Sequence, residues 1–239
     1  MTVTERSSAF IDSVLQLQPR LAVFDCDGTL WSGDAGERFF DWELKRGVVS
    51  DDVVRWARNR HADYKAGKVS EDDMCGEMVT LHRGLRESDV LALAHDYFEQ
   101  NFVSQIFPEM RELIHRLQAA GCDVWAVSST NEWVIRVAMP HLGIAPQKIL
   151  AAAVKVENGV ITDQLTRVPS GPGKPKAIIE EIRNQPDVAF GNSRWDADML
   201  ALARHGVAVN PNHDLEEKAR AQGWIVYWPD ATRPRSKNF

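Results

Sequence analysis

Short apolar runs that end in polar residues alternate with amphipathic helical patterns along most of this chain. Runs of four or five apolar residues are typical of strands buried on both faces, and their alternation with helices predicts a parallel sheet between two helical layers. The chain is therefore expected to have a three-layer α/β fold. Asn158-Gly159, flanked by β-branched residues, adds a predicted hairpin. The five apolar runs cover residues 21–25, 124–128, 188–191, 206–209 and 224–227.

Residues 31–104 interrupt this alternation, because they contain helical patterns and no convincing strand. The block lies between the first strand and a helix predicted at 108–120. We therefore expect a helical cap inserted into the core, with residues 1–30 and 105–239 forming the core itself. The four predicted cap helices cover residues 36–46, 51–66, 71–81 and 88–101.

The charge of the chain argues against a nucleic-acid partner. Its 239 residues include 34 Asp and Glu against 28 Lys and Arg, a formal net charge of −6, whereas proteins that bind phosphate backbones use a basic excess. The N-terminus lacks the pattern of a signal peptide, and no apolar run reaches the ~18 residues of a membrane span. We expect a cytoplasmic protein without a membrane partner, either monomer or homodimer. Residues 230–239 are expected to form a frayed tail.

The first apolar run ends in the segment Asp25-Cys26-Asp27-Gly28-Thr29. Asp25 and Asp27 are two residues apart on extended chain, so their side chains point the same way. Neighbouring carboxylates repel each other unless a cation or strong donors compensate them, and Mg²⁺ prefers such oxygen ligands. A structural role in a turn or as a helix N-cap would account for one of these aspartates. It does not readily account for two aspartates at the end of one strand.

Polar residues also follow the later apolar runs, at the positions where ligands bind in parallel α/β sheets. Ser128 and Ser129 precede a predicted helix, which is typical of an anion site but equally of simple N-capping. Lys174 lies in a Gly-Pro loop before another predicted helix. The polar loop from Asn192 to Asp196 follows the third apolar run. Together these residues predict one site at the carboxyl edge of the sheet.

In this order, the motifs resemble those of the haloacid dehalogenase superfamily of phosphotransferases. The resemblance rests on DxDGT at 25–29, Ser128, Lys174 and the loop GNSRWD at 191–196. The helical insertion directly after the first motif is similar to the cap of the phosphoserine phosphatase branch. The resemblance implies a Rossmann-like core and a Mg²⁺-dependent phosphomonoesterase that hydrolyses a small-metabolite phosphate.

The resemblance also implies a role for each motif residue. Asp25 would be the nucleophile that forms an aspartyl-phosphate, and Asp27 would protonate the leaving oxygen and then activate water. Ser128 and Lys174 would hold the phosphoryl oxygens, with the charge of Lys174 offsetting that of Asp25. The residues expected to contact the phosphate are Gly28, Thr29, Ser128, Ser129 and Lys174.

The resemblance also implies a metal site. The expected Mg²⁺-binding residues are Asp25, Asp27, Asn192 and Asp196. Family members usually carry Gly-Asp where this chain has Gly191-Asn192. An amide oxygen still ligates Mg²⁺, but the site loses one negative charge, so weaker metal binding is expected. Asp196 is available as a ligand or as an outer-shell partner.

Two other functions are compatible with these motifs. Metal-free haloacid dehalogenases also carry Trp-Asp in this loop, as this chain does at Trp195-Asp196. They lack the second aspartate of the first motif, however, which this chain has as Asp27. A catalytically weak phosphate-binding or regulatory protein would explain Asn192. Such a protein, however, has no chemical need for both Asp25 and Asp27.

The cap should select the leaving group. In the phosphoserine branch, an acid after the first motif binds the amino group and a cap arginine binds the carboxylate. Asp34 falls near the first position, whereas Gly76 falls near the second, with Arg83 or Arg86 as substitutes if the alignment slips. Without an arginine there is no bidentate partner for a carboxylate, so phosphoserine itself is disfavoured.

Aromatic and acidic residues occupy the start of the cap instead. Trp31 and Asp34 directly follow the aspartate motif, and Trp42 lies on the first cap helix. Aromatic faces and carboxylates suit an amine or a quaternary ammonium. We therefore expect Trp31, Asp34 and Trp42 to bind a small amino-alcohol or choline-type leaving group. The alternative for Trp42 is that it only packs between cap helices.

Overall fold

A computed structural model describes residues 3–233 of the chain. Its seven strands are β1 Leu21–Phe24, β2 Asp123–Asn131, β3 Ile149–Glu157, β4 Val160–Arg167, β5 Val188–Gly191, β6 His205–Val209 and β7 Ile225–Tyr227. They form one sheet in the order β4-β3-β2-β1-β5-β6-β7, in which β3 and β4 are antiparallel and all other neighbours are parallel. The predicted α/β fold and the hairpin at Asn158-Gly159 are confirmed.

Helices cover both faces of the sheet and fill the segment after β1. They are α1 Glu5–Leu15, α2 Ala35–Arg46, α3 Asp51–Lys65, α4 Glu71–Thr80, α5 Glu87–Asn101, α6 Pro108–Ala119, α7 Glu132–Ala138, α8 Gly173–Ala177, α9 Ala197–Leu202 and α10 His213–Gln222. Helices α2 to α5 match the four predicted cap helices to within two residues at each end. In residues 3–233, no helix combines the length and the apolarity needed to cross a bilayer.

The two faces of the sheet bury separate apolar clusters because side chains alternate along each strand. Phe24 and Phe190 stack at 4.1 Å between ring centroids on the face that α1, α6 and α7 cover. Val23 and Ala189 point to the opposite face, where they pack with residues of α8, α9 and α10. Two helical layers around one sheet give the expected three-layer core.

The cap packs partly on itself and partly on the core. Phe40, Leu44 and Met74 belong to an apolar cluster formed within the cap. Phe39 of α2 and Phe98 of α5 belong instead to the main core cluster. The cap is therefore anchored to the sheet layer by α2 and α5. We propose residues 31–104 as the cap domain, and residues 1–30 and 105–239 as the core domain.

Two elements differ from the sequence-based expectation. The first is the hairpin strand β3, which begins at Ile149 and pairs in parallel with β2, so that the hairpin extends the main sheet. The second is helix α1, which the sequence analysis did not predict. The tail prediction is wrong at its start, because Asp230 accepts a hydrogen bond from Arg6 at 2.5 Å and its backbone N–H donates to Glu109. The rest of that predicted tail, residues 234–239, lies outside the described residues.

Candidate active site

The polar strand ends meet in one cleft beneath the cap. Strands β2, β1 and β5 are neighbours, so the residues that follow them converge at the carboxyl edge of the sheet. The cleft has a volume of about 500 Å³. Among its lining residues are Asp25, Asp27, Gly28, Asp34, Ser129, Thr130, Lys174, Asn192, Ser193 and Asp196.

A buried ion network joins three of the predicted site residues. The Nζ atom of Lys174 lies 2.6 Å from Asp25 Oδ1 and 2.6 Å from Asp196 Oδ1, and all three side chains are at most 8% exposed. Burial acts to lower the pKa of Lys174, but the two carboxylates outweigh it and raise that pKa, which keeps the lysine charged. The network fixes Asp25 at the end of β1.

The carboxyl group of Asp25 has both oxygens engaged. Oδ1 accepts from Lys174, and Oδ2 accepts from the Thr29 hydroxyl at 2.8 Å. Burial and the nearby charge of Asp196 raise the pKa of Asp25 to about 6, although Lys174 and Thr29 act to lower it. Asp25 is therefore mainly ionised at neutral pH.

Three donors hold the carboxyl group of Asp27. Its Oδ1 accepts from Trp31 Nε1 at 2.8 Å and from the Ala35 backbone N–H at 2.5 Å, and its Oδ2 accepts from the Thr130 hydroxyl at 2.6 Å. Burial, with the charge of Asp34, raises the pKa of Asp27 to about 8 against the opposing effect of these hydrogen bonds. A carboxyl group in this environment keeps its proton at neutral pH.

The structure corrects two of the three predicted leaving-group residues. The ring of Trp31 is fully buried and packs edge-on against Phe98, so it positions Asp27 and does not line the cleft. Trp42 packs beside Phe39, and the guanidinium group of Arg46 lies 4.1 Å from the centre of the Trp42 ring. Trp42 therefore packs between cap helices, as the alternative interpretation expects. Asp34 does line the cleft, where it also caps the N-terminus of α2.

The predicted phosphate contacts of Gly28 and Thr29 remain predictions, because Gly28 lines the cleft although the N–H groups of both residues already have partners. The N–H of Gly28 donates to the Gly33 carbonyl, and the N–H of Thr29 donates to the Cys26 carbonyl, both at 3.1 Å. Gly28 has a φ of +74°, and a Cβ atom there would lie 1.9 Å from Asn192 Nδ2. Glycine is therefore required for the close approach of the Asn192 loop.

The two serines after β2 occupy different environments. Ser128 is 1% exposed, and its Oγ accepts from the Thr130 backbone N–H at 3.1 Å, as in a simple turn. Ser129 and Thr130 line the cleft, and Ser128 is not among its lining residues. The roles of Ser128, Ser129 and Lys174 toward a phosphate remain predictions.

Asp196 supports the loop after β5. Its Oδ2 accepts from the backbone N–H groups of Asn192 at 2.9 Å and Ser193 at 2.8 Å, and from the Ser193 hydroxyl at 3.1 Å. Oδ1 of Asp196 accepts from Lys174 and its Oδ2 already has three donors, whereas Asp25 Oδ2 accepts from the Thr29 hydroxyl alone among the described residues. This favours the outer-shell role over direct ligation.

The remaining oxygen atoms are compatible with Mg²⁺. Mg²⁺ commonly binds one or two carboxylates and otherwise water and substrate phosphate oxygens. Asp25, Asp27 and Asn192 all line the cleft, and the carboxylate of Asp25, the backbone carbonyl of Asp27 and the amide oxygen of Asn192 are of the ligand types that Mg²⁺ accepts. Within residues 3–233, no three His, Cys, Asp or Glu side chains are grouped as a metal site. The donors therefore suit a cation that substrate and water help to coordinate.

A second compartment, about 60 Å³, opens beside Asp34 and Thr130. The stripe of α4 that faces it carries Glu71, Met74, Cys75 and Met78, none of which the sequence analysis singled out. Their one sequence signal is this helical spacing, which cap packing explains equally well. Glu37, His61 and Tyr64 from α2 and α3 complete its wall.

Neither of the predicted substitutes, Arg83 and Arg86, takes the place of the cap arginine that would bind a carboxylate. A Cβ atom at Gly76 would lie 2.9 Å from Leu165, so this position faces β4. Arg83 forms an exposed ion pair with Asp163 at 2.8 Å, and Arg86 precedes α5 beside the β3–β4 turn. In the part of the chain described, no arginine lines either compartment.

This site at the sheet edge, with a helical insertion over it, defines an enzyme of the capped α/β class. The sequence model of the haloacid dehalogenase-like hydrolases matches residues 22–201. The chain belongs to this family, and the resemblance inferred from the DxDGT motif is confirmed.

Relatives in sequence agree with this assignment, and solved structures share the fold. A histidinol-phosphatase of Neisseria meningitidis serogroup C is 26% identical over 219 residues, covering 86% of this chain and 97% of that protein. Phosphoserine phosphatase SerB1 of Mycobacterium tuberculosis is 25% identical over 86% of this chain and 69% of that protein. A phospho-aspartyl intermediate analogue of phosphoserine phosphatase has the same fold, with a TM-score of 0.57 and 19% identity over 87% of this chain and 92% of that one.

Proposed function

We propose that this protein is a Mg²⁺-dependent phosphomonoesterase that hydrolyses a small-metabolite phosphate through an aspartyl-phosphate. The observation that carries the proposal is the pair of aspartates in contrasting environments. Asp25 is paired with Lys174 and mainly ionised, whereas Asp27 holds a proton near neutral pH. One carboxylate is thus suited to attack, and the other to give a proton.

In the proposed first step, an oxygen of Asp25 attacks phosphorus and the bond to the leaving oxygen breaks. Asp27 gives its proton to that oxygen, so the leaving group departs as an alcohol. The alcohol and the phosphate differ in where they bind: the phosphate stays near Lys174, and the alcohol faces the cap. The charge of Lys174 reduces the repulsion between Asp25 and an anionic substrate.

In the second step, the carboxylate of Asp27 takes a proton from water, and the water oxygen attacks phosphorus. The bond between phosphorus and Asp25 breaks, which releases phosphate and regenerates both aspartates. Trp31, Ala35 and Thr130 hold the Asp27 carboxyl group in one orientation through both steps.

Asp25, the carbonyl of Asp27 and the amide oxygen of Asn192 would hold the Mg²⁺ ion. When bound, it supplies positive charge that stabilises the phosphoryl oxygens during transfer. The family assignment supports this proposal, as do relatives that carry the names histidinol-phosphatase and phosphoserine phosphatase.

Hydrolysis of p-nitrophenyl phosphate with Mg²⁺ or with EDTA tests the proposal. We expect Mg²⁺-dependent release of phosphate that falls on the order of a thousandfold or more in Asp25→Asn. Full activity in Asp25→Asn would rule out the nucleophile. Halide release from 2-haloacids in EDTA, without phosphate release, would favour the metal-free dehalogenase instead.

Asn192→Asp tests the metal site separately. The variant adds a carboxylate at the proposed ligand position, so the Mg²⁺ concentration for half-maximal activity should fall by roughly tenfold. Asn184→Asp, at an exposed position, adds the same charge elsewhere and should leave this concentration unchanged. Equal effects of the two variants would exclude Asn192 as a ligand.

A further inference from the structure

A groove adjoins the cleft on the side where the turn between α3 and α4 faces the core. It has a volume of about 560 Å³ and lies between residues 64–72 of the cap and Pro172, Arg194 and Trp195 of the core. The second compartment beside Asp34 has a volume of only about 60 Å³. Of the two spaces that adjoin the cleft, the groove is therefore the one that accepts a bulky alcohol.

Four residues line both the cleft and the groove, and they mark the passage between them. They are Tyr64, Lys65, Glu71 and Trp195. Two of the four are aromatic, one from the cap and one from the core. Trp31 and Trp42, the aromatic residues expected from the sequence to meet the leaving group, line neither space. The aromatic surface that a leaving group meets is therefore that of Tyr64 and Trp195.

The loop after β5 fixes the position of Trp195. The backbone N–H of Trp195 donates to Ser193 Oγ at 3.2 Å, within the capping turn that Asp196 completes. A Cβ atom on Gly171 would lie 3.5 Å from the Trp195 ring, so the loop that carries Lys174 packs beside this ring. The ring thus has a set position beside the phosphoryl site, which reduces the entropy lost when a ligand binds against it.

One face of the Trp195 ring is reachable from the groove. The guanidinium group of Arg194 lies 4.6 Å from the centre of the Trp195 ring, and Arg194 also lines the groove. Arg194 is exposed and forms no ion pair within 4.0 Å with any residue from 3 to 233. Because no ion pair holds the guanidinium group in place, a ligand ring can displace it from the Trp195 face.

The charges in the groove balance, unlike those in the cleft, where carboxylates are in excess. The groove contains two cations, Lys65 and Arg194, and two carboxylates, Glu71 and Asp72. This balance favours neither an anionic nor a cationic group on the alcohol. Contact with the aromatic side chains is then what distinguishes one alcohol from another.

We propose that the alcohol of the substrate carries a planar aromatic or heteroaromatic ring, and that this ring lies in the groove against Trp195 and Tyr64. The inference rests on the proposed function and names the class of leaving group. Aromatic rings attract each other in offset-stacked and edge-to-face arrangements, beyond what the burial of apolar area contributes. A planar ring therefore gains more in this groove than a saturated ring of similar size.

The experiment compares kcat/KM for 2-phenylethyl, 2-cyclohexylethyl and ethyl phosphate. Two carbons separate each ring from the reacting oxygen, so the three esters have similar intrinsic reactivity. We expect kcat/KM for the phenyl ester to exceed that for ethyl phosphate by roughly tenfold to a hundredfold, because the ring is buried. It should exceed that for the cyclohexyl ester by about twofold to tenfold, because of the added attraction between aromatic rings.

Two variants of Trp195 test its part in this preference. Trp195→Leu keeps an apolar side chain but removes the ring, so kcat/KM for the phenyl ester should fall to about that for the cyclohexyl ester. For ethyl phosphate, which is too short to depend on the ring, kcat/KM should change by less than about twofold. Trp195→Phe retains an aromatic ring and should retain the preference for the phenyl ester.

Trp56→Leu is the matched control, because Trp56 is 44% exposed on α3 and lines neither the cleft nor the groove. It should leave kcat/KM for all three esters unchanged. Circular dichroism of each variant reports whether it is folded. The comparison of the three esters in the wild-type protein needs no variant, so it tests the inference even if Trp195→Leu does not fold.

The outcomes separate the two proposals. Failure of the wild-type protein to hydrolyse p-nitrophenyl phosphate would overturn the phosphatase and this inference together. Hydrolysis of p-nitrophenyl phosphate with equal kcat/KM for the phenyl and cyclohexyl esters would overturn the inference alone. So would an unchanged preference for the phenyl ester in Trp195→Leu, or an equal loss of that preference in Trp56→Leu.

Discussion

Replacing Lys174 with methionine should destabilise the protein severely, because Lys174 holds two buried carboxylates together. Its Nζ atom lies 2.6 Å from Asp25 and from Asp196, and the three side chains are almost completely buried. Methionine fills a similar volume without the charge. Both carboxylates would then be left buried beside each other. Removing one partner of a buried ion pair costs about 3–5 kcal/mol, and we expect a loss in this range at pH 7.5.

This loss should depend on pH. The pKa of Asp25 is already raised to about 6, and Lys174 is one of the groups that act to lower it. Removing Lys174 therefore raises the folded-state pKa of Asp25 further. A carboxyl group with a raised folded-state pKa contributes stability at low pH and loses it as the pH rises through that pKa. The difference between wild type and Lys174→Met should accordingly shrink between pH 7.5 and pH 5.5.

Urea unfolding at both pH values measures the effect as a free energy of unfolding. Lys176→Met is the control, because Lys176 is exposed on the same helix and its loss should cost at most ~0.5 kcal/mol. Adding Asp196→Asn to Lys174→Met removes one of the uncompensated charges and should recover part of the loss. A loss below about 1 kcal/mol at pH 7.5, or one that does not change with pH, would refute the reasoning.

Two further predictions concern individual hydrogen bonds. Thr130→Val removes the hydroxyl that donates to Asp27 at 2.6 Å. Because this bond acts to lower the pKa of Asp27, the alkaline limb of the pH–rate profile should move to higher pH and kcat should fall about tenfold. Thr130→Ser retains the hydroxyl and should leave the pH–rate profile and kcat unchanged. Burial acts to lower the pKa of His82, but Glu43 at 2.7 Å outweighs it and raises that pKa. This stabilisation is present below about pH 6.5 and is lost as the pH rises through the folded-state pKa, so the difference in Tm between wild type and His82→Gln should narrow from pH 6 to pH 9.

The sheet and the cap helices could be predicted because local sequence determines them. β1 is four consecutive buried apolar residues, a pattern with few other interpretations. Three of the four cap helices begin after a side chain that caps the first turn, namely Asp34, Ser50 or Ser70. β3 was harder, because three of its buried residues are the alanines at 151–153, which have weak strand preference. Its place in the sheet depends on its pairing with β2.

At the site, the sequence predicted which residues converge but not how each side chain is oriented. The positions of Asp25, Asp27 and Lys174 follow from strand ends and sheet topology. The burial of Trp31 does not follow from them, because the turn after Asp27 directs the Trp31 ring toward α5 and only the Trp31 Nε1 toward the Asp27 carboxylate. Glu71 likewise reaches the cleft through the packing of α4, which no local pattern specifies.

The charge of the cleft connects the proposed metal, the proposed substrate and Asn192. On the phosphoryl side, Lys174 is shared by Asp25 and Asp196, and on the cap side Lys65, which pairs with Glu37, lines the cleft beside Asp34 and Glu71. Carboxylates outnumber lysines among the residues that line the cleft, so an anionic phosphate meets net negative charge there, which an added cation would reduce. The proposed Mg²⁺ ion would compensate this charge at the phosphoryl end. With asparagine at 192, the cleft carries one carboxylate fewer, which weakens the attraction for Mg²⁺ but also reduces the repulsion of the phosphate.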